Sequence, residues 1–265
     1  MNNQGVKKSG HTTDRKRHML PGLTVAEGYT KHPFDLEFGV RTSGLVAGRH
    51  LDTGHRHDRH NTAYYAIAPS VFDAMIVRWR RSHPAGPIDN YTFVDLGAGM
   101  GRAMLLAAQL PFRRVVGVEL NPTLARVARR NLALWRAAGR TAAPTRMVCG
   151  DAATFLFPPG PCVAFLFNPF GATVMQRLLK SMATKFADRA GELDILYVNN
   201  EQEAVLRRQP GLARLFAGQV KRSRADAIAD HRILANQPDG EYASANYEDC
   251  SLYRWIGITA GAKKI

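Results

Sequence analysis

The chain has 265 residues, of which 45% are hydrophobic and 22% are charged. This length and composition suit one large globular domain and exclude wholesale disorder, a collagen and a coiled coil. No stretch approaches the roughly 18 apolar residues of a membrane span, and no apolar segment follows the basic N-terminus as in a secretory signal. The three cysteines have no metal-ligand spacing, which predicts a cytoplasmic protein without disulfides and without membrane contact.

The balance of charges is strongly basic. Thirty-six basic and 22 acidic residues give a formal net charge of +14. A surface with this charge attracts polyanions through a long-range, salt-sensitive field. Because the basic residues are spread along the chain, the charge is consistent either with a solvated basic surface or with a nucleic-acid or acidic-protein partner. The sequence does not indicate an oligomeric state.

Apolar patterns divide the chain into three parts. Residues 1–30 are polar and predict a flexible basic tail. Residues 31–88 predict an N-terminal lid of loops and short helices, with a longer helix over about 70–82. Residues 89–265 form the main domain, in which a polar stretch over 223–249 predicts a loop-like insertion.

The main domain alternates strands and helices. Strands are predicted at 91–96, 114–120, 146–150, 163–168 and 194–198, and helices at 102–110, 122–139, 172–188 and 201–208. The segments 215–221 and 252–258 are predicted to close the sheet as an antiparallel hairpin. This alternation predicts an α/β fold, with a Rossmann-like, doubly wound, seven-stranded and mostly parallel sheet.

In such sheets ligands bind beyond the carboxyl ends of the strands, so the residues there are the candidate site. The first strand runs into the sequence DLGAGMG, from Asp95 to Gly101. Its glycines permit a ligand to approach the backbone closely, although a tight turn without a ligand explains them too. The GxGxG spacing differs from the GxGxxG of dinucleotide-binding proteins, which leaves a dehydrogenase as a distant alternative.

Polar residues also follow the next three predicted strands. Glu119 ends the second strand, where a carboxylate can accept hydrogen bonds from both hydroxyls of a ribose. Asp151 follows the third strand and can accept from an exocyclic amine such as that of adenine. Asn168 ends the fourth strand and offers a polar group to the reaction space. The structural alternatives are a helix cap for Glu119, a turn residue for Asp151 and a plain strand end for Asn168.

Taken in chain order, VDLGAGMGR, VGVEL, GDA and FNPF resemble the motif series of class I S-adenosylmethionine-dependent methyltransferases, over about residues 91–200. The resemblance implies S-adenosylmethionine as the cofactor. It implies that the glycine segment lines the methionine and ribose, that Glu119 holds the ribose hydroxyls and that residues 151 and 152 flank the adenine. The implied cofactor-binding residues are Asp95, Gly97, Ala98, Gly99, Gly101, Glu119, Leu120, Asp151, Ala152 and Asn168. Tyr64 and Tyr65 of the lid are expected to close over the cofactor, and the alternative for both is a core contact with the first helix.

The segment Asn168-Pro169-Phe170 resembles the [DN]PP[YF] motif of amino-group methyltransferases. In that family the asparagine and a backbone carbonyl hold an amine, and the aromatic ring packs on it. The resemblance makes these three the expected catalytic residues and implies methyl transfer to an amine of a protein side chain or a small molecule. The chain departs from the motif, since it has one proline and Gly171 at the aromatic position. A nucleic-acid acceptor, or a non-catalytic nucleic-acid-binding protein on this scaffold, is the alternative.

A histidine-rich loop lies in the predicted lid, from His50 to His60, and includes Asp52 and Asp58. Imidazoles and carboxylates suit zinc, but the spacing matches no metal-binding signature, so we expect a polar lid without a metal. A histidine of this loop acting as a general base is the alternative.

Overall fold

The computed structural model describes residues 29–236 and 245–258. Almost all of the predicted tail over residues 1–30 lies outside these ranges. In the described residues, no helix is long and apolar enough to cross a membrane.

One seven-stranded sheet forms the centre of the molecule. Its strands are β1 (Thr92–Leu96), β2 (Arg114–Glu119), β3 (Thr145–Cys149), β4 (Cys162–Phe167), β5 (Leu193–Val198), β6 (Leu212–Lys221) and β7 (Tyr247–Trp255). Their order across the sheet is β3-β2-β1-β4-β5-β7-β6. The first five strands are parallel, and β7 pairs antiparallel with both β5 and β6. The predicted mostly parallel sheet with an antiparallel hairpin is therefore confirmed.

Helices cover both faces of this sheet. They are α1 (Pro33–Phe38), α2 (Pro69–Arg81), α3 (Arg102–Ala108), α4 (Pro122–Ala137), α5 (Ala172–Lys185), α6 (Glu203–Arg207) and α7 (Arg224–Ala235). The start of α4 shows how sequence sets a boundary, because the side chain of Asn121 accepts the N–H groups of Thr123 and Leu124. Pro122 follows at the first helical position, where no backbone N–H is needed.

The predicted loop-like insertion over 223–249 is wrong in its first half, which forms α7. Ser223 caps this helix by accepting the N–H of Asp226. The apolar pattern of α7 is weak because two carboxylates, Asp226 and Asp230, lie on its buried face. Acidic residues are usually exposed to solvent, so the sequence pattern of this segment predicts a polar loop.

Aromatic and aliphatic side chains fill the space between sheet and helices. On one face Phe93 of β1 and Phe165 of β4 stack with centroids 5.6 Å apart, and Phe72 of α2 packs on both. On the other face Val94 belongs to a second cluster with Leu178 of α5. Because β1 and β4 are buried on both faces, their apolar sequences do not alternate. The carboxyl ends of these strands are therefore held firmly.

A buried ion pair joins α2, β5 and β7 away from these strand ends. Asp194 is fully buried and accepts the indole N–H of Trp79 at 2.8 Å and the Nε of Arg254 at 2.7 Å. Removal of one partner from such a pair leaves an uncompensated charge, at a cost of about 3–5 kcal/mol.

We expect Arg254→Met to lower the free energy of unfolding by about 3 kcal/mol or more, because Asp194 would remain buried without its counter-charge. Denaturant unfolding measures the change, and the exposed Lys221→Met on the adjacent strand is the matched control. A loss equal to that of the control would contradict the assigned role of the pair.

Candidate functional site

The turn after β1 is shaped by what packs against its glycines. Gly97 and Gly99 both have positive φ values, of 81° and 53°. A Cβ on Gly97 would lie 2.3 Å from the Cβ of Pro169, and one on Gly99 would lie 2.2 Å from a ring carbon of Tyr64. Both positions therefore require glycine. Gly101 is the N-cap of α3 and packs against Ala128, away from the cavity described below.

Glu119, at the end of β2, holds this turn in place. One carboxylate oxygen accepts the N–H of Gly99 at 2.8 Å, and the other accepts the N–H of Asn121 at 2.8 Å. Burial raises the pKa of Glu119, and these N–H groups oppose that rise. Each oxygen keeps a second lone pair, so the carboxylate can still accept from a ligand.

Asp95 is a buried carboxylate without a partner. It is 3% exposed and lines the cavity above the glycine turn. Among the residues that the structure describes, none donates a hydrogen bond to its side chain. Burial, with a further contribution from the charge of Glu119, raises the pKa of Asp95 to about 8. Such an arrangement is costly unless a donor or a cation reaches the carboxylate.

The lid lies directly on the glycine turn. The backbones of Val46 and Tyr64 pair, and the hydroxyl of Tyr64 donates to the carbonyl of Thr42 at 2.6 Å. The ring of Tyr64 fills the space over Gly99, which leaves a cavity of about 90 Å³. This is well below the roughly 300 Å³ at which sites for drug-sized ligands begin. A nucleoside-sized ligand therefore requires this part of the lid to shift.

A buried network fixes the base of the lid. The carboxylate of Asp35 accepts the N–H and hydroxyl groups of both Thr42 and Ser43. Arg102, the first residue of α3, donates to these hydroxyls and to the carbonyl of Ile67. The base of the lid is therefore bonded to the helix that follows the glycine turn. If Tyr64 shifts, this base can stay in place.

The histidine loop reaches the end of β3. Asp151 accepts the N–H of Ala153 with one oxygen, and its other oxygen lies 3.0 Å from Nδ1 of His57 without hydrogen-bond geometry. Nε2 of His57 contacts the guanidinium of Arg177. His57 therefore covers the carboxylate oxygen that the sequence assigns to adenine.

The same residues resemble a set of metal ligands. Ligand atoms of His55, His57 and Asp151 lie within 4.8 Å of one another. Two imidazoles and a carboxylate suit zinc. The guanidinium of Arg177 beside His57 opposes a second cation there.

The loop after β4 is bound to the lid. Asn168 has a φ of 38°, which is strained for a residue other than glycine. The hydroxyl of Thr62 donates to the carbonyl of Asn168, and the N–H of Thr62 donates to the carbonyl of Pro169 at 3.4 Å. The hydroxyl of Tyr197 donates to the side-chain oxygen of Asn168 at 3.4 Å. The resemblance to the amino-group motif assigns this loop to an amine. In the structure, its carbonyls accept hydrogen bonds from the lid instead.

Most of the residues predicted from the sequence meet at the first cavity. The following line it: Tyr65, Asp95, Gly97, Ala98, Gly99, Glu119, Leu120, Asp151, Ala152, Pro169 and Phe170. Gly101 and Asn168 do not. Asn168 lines a second cavity, of about 720 Å³, that shares Asn61, Thr62, Ala63, Tyr65 and Phe167 with the first.

Sequence reasoning did not single out several residues of the site. Thr62 and Arg177 contact it from positions far away in the chain, and no local pattern marks them, whereas His57 belongs to the histidine-rich loop that the sequence indicated. The sequence does offer a way to identify Tyr197 as a site residue, because it carries a hydroxyl near the end of a buried parallel strand. Residues near such strand ends are the ones that reach a ligand.

Comparisons with known proteins identify the architecture. No protein-family model and no curated protein matches the chain. Among solved structures, the [4+2]-cyclase SpnF is 15% identical, with 71% of this chain and 81% of that chain covered and a TM-score of 0.50. TrmN from Thermus thermophilus is 19% identical (72% and 49% covered, TM-score 0.45), and the ribosomal protein L11 methylase from Lactobacillus delbrueckii subsp. bulgaricus is 12% identical (68% and 76%, 0.41).

The chain has a Rossmann-like fold. Its strand order is the classical 3-2-1-4-5-6 with an antiparallel strand added between the last two. Because identities at this level show the fold alone, and one of the matched proteins is named as a cyclase, the reaction has to be argued from the site.

We expect Asp95→Asn to flatten the dependence of stability on pH. In the folded chain Asp95 keeps its proton up to about pH 8, whereas its ordinary pKa is 3.8, so ionisation of this group destabilises the fold as pH rises through that window. The variant should gain stability over the wild type with rising pH, by on the order of a few kcal/mol at pH 8.

Denaturant unfolding at pH 5, 6.5 and 8 measures this gain. Asp89→Asn, which changes an exposed carboxylate before β1, is the control and should show no such trend. A difference between Asp95→Asn and the wild type that stays constant over these pH values would contradict the raised pKa.

Proposed function

We propose that the chain is an S-adenosylmethionine-dependent methyltransferase. The observation that carries this proposal is the unpartnered, buried carboxylate of Asp95 above the glycine turn. A buried carboxylate of this kind is stabilised by a cation. The ammonium group of the cofactor's methionine part is such a cation, and the glycine turn permits its close approach.

Two further carboxylates support the same cofactor. Glu119 is fixed by two backbone N–H groups and keeps lone pairs for the ribose hydroxyls. The free oxygen of Asp151 is an acceptor for the adenine amine once His57 moves aside. These three carboxylates therefore match the cofactor in chemistry, and Tyr64 has to shift before the cavity can admit it.

The chain's own contribution to methyl transfer would be alignment and exclusion of water. The cofactor, when bound, supplies a methyl group already activated on a sulfonium. The protein then has to hold the acceptor in line and keep water away, which accounts for several kcal/mol of barrier lowering. Asn168 would orient the acceptor, Tyr197 would hold the side chain of Asn168, and Phe170 would pack near the transferred group.

We infer an amine nitrogen as the acceptor atom, on the likeness of the loop after β4 to the amino-group motif. The carbonyls of Asn168 and Pro169 are the acceptors for its N–H groups. Thr62 donates to both carbonyls, so the amine has to replace Thr62 there. The same shift of the lid that admits the cofactor would release these carbonyls.

Nucleic-acid binding without catalysis is the second candidate. A groove of about 680 Å³ along the edge strand β3 is lined by Arg113, Arg114 and Arg146, and the net charge is +14. Basic side chains along a groove bind the phosphate backbone in a salt-dependent way. This function predicts nucleic-acid affinity that changes at the cofactor cavity leave intact.

We expect Glu119→Gln to weaken S-adenosylmethionine binding about 100-fold, because two hydrogen bonds to a charged acceptor would be lost or weakened. Gly99→Arg should abolish it, since its side chain enters the cavity. Calorimetric titration measures both, with circular dichroism to verify folding and the exposed Glu37→Gln as control. Wild-type affinity in both variants, or no binding by the wild type, would reject the proposal.

A second experiment identifies the acceptor class. The protein is incubated with cofactor carrying a radiolabelled methyl group and a cell lysate, which is then treated with protease or with nuclease. Label released by protease supports a protein acceptor, and label released by nuclease rejects the amine of a protein or small molecule.

A further inference from the structure

The second cavity lies where an acceptor would have to enter. It opens at the carboxyl ends of β4 and β5, between the lid and β7, and has a volume of about 720 Å³. That size is typical of small-molecule sites and of pockets for single side chains. It shares lining residues such as Thr62 and Tyr65 with the first cavity, so the two cavities adjoin each other.

Asn168 brings a side-chain amide to this cavity. The residue is 7% exposed and lines the second cavity. Its side-chain oxygen accepts from Tyr197, but its side-chain nitrogen donates to no residue within the described part of the chain. Because this nitrogen faces the cavity, it is free to donate to an acceptor atom of a ligand.

Three of the described residues that line this cavity are carboxylates. Glu201 follows β5, and Glu248 and Asp249 belong to β7, with the fully buried Asp230 behind them. Arg222 lies between two of these groups, with its Nε 3.2 Å from Asp230 and its NH2 in contact with Glu248. Its charge is therefore already compensated.

Repulsion among these groups is visible at Glu248. Burial raises the pKa of Glu248, Arg222 opposes the rise, and the charges of Asp230 and Asp249 add to it. Glu201 and Asp249 are exposed to the cavity opening without an ion pair in the described residues. Arg49 also lines the cavity, so among the described lining residues three carboxylates face two arginines, with Asp230 behind them. The local charge is negative on a chain whose net charge is +14.

We propose that the second cavity binds the methyl acceptor through a cationic group, an alkylammonium or a guanidinium, held by Glu201 and Asp249. The role as acceptor rests on the proposed function, whereas the binding of a cation does not. A polyanion is disfavoured at this cavity, because its phosphates would meet the carboxylates.

The cation that is bound and the atom that is methylated are different groups of the acceptor. An ammonium beside carboxylates keeps its proton more tightly, so its lone pair is not available for attack. The atom to be methylated lies instead at the inner end of the cavity, where the amide of Asn168 is neutral. The acceptor is thus a molecule with at least two basic or polar centres, such as a polyamine or a basic protein segment.

The test uses spermidine as a flexible cationic probe, and oligouridylate as an anionic one, in low salt. The variant Glu201→Gln/Asp249→Asn should bind spermidine at least about tenfold more weakly than the wild type, because two exposed charges are lost. The control Asp89→Asn/Asp188→Asn removes the same charge at the opposite ends of the strands and should bind as the wild type does. Calorimetry measures the affinities.

The outcomes separate the two proposals. No spermidine binding by the wild type, or an equal effect of both double variants, would overturn the cation site. Oligouridylate is titrated in the absence of spermidine, and binding that the Glu201→Gln/Asp249→Asn variant loses would overturn the cation site as well. S-adenosylmethionine is titrated into the same wild-type protein in parallel. Failure of that titration with selective spermidine binding rejects the methyltransferase alone, and the opposite result rejects the cation site alone.

Discussion

The two hydrogen bonds that Glu119 accepts are the constraint on which the site depends. They join the glycine turn after β1 to the start of α4 through Gly99 and Asn121. Without this carboxylate, two buried N–H groups would have no acceptor, at about 1–3 kcal/mol each. The structural role as a cap and the binding role are therefore not alternatives. The bonds that hold the backbone also hold the carboxylate at the cavity.

The parts of the fold that follow from local pattern could be predicted from the sequence. Strands buried on both faces appear as short apolar runs, and Asn121 with Pro122 marks a helix start by a mechanism confined to a few residues. The helix α7 could not be predicted in this way. Its buried face carries Asp226 and Asp230, whose partners are Ser70 of α2 and Arg222 of the segment just before the helix. The burial of these carboxylates depends on the tertiary fold, and the apolar pattern of the helix does not show it.

The candidate site likewise has a part that the sequence predicts and a part that it does not. Carboxylates at strand ends, such as Asp95 and Glu119, are predictable because a parallel sheet brings its carboxyl ends to one edge. The lid is not, since its contacts join residues that are far apart: Thr62 bonds to Asn168, and Tyr64 packs on Gly99. The size of the cavity is set by these contacts. A sequence motif therefore identifies the chemistry of the site but not whether there is space for the ligand.

One short segment of the lid lines both cavities. Residues 61–65 line the first and, except for Tyr64, also the second. This segment is held by backbone bonds to Val46 on one side and to the loop at Pro169 on the other. Movement of Tyr64 away from Gly99 must pull on Thr62, and through it on the carbonyl of Asn168. Space for a nucleoside and access to the acceptor loop are therefore mechanically coupled, because a single short segment blocks both.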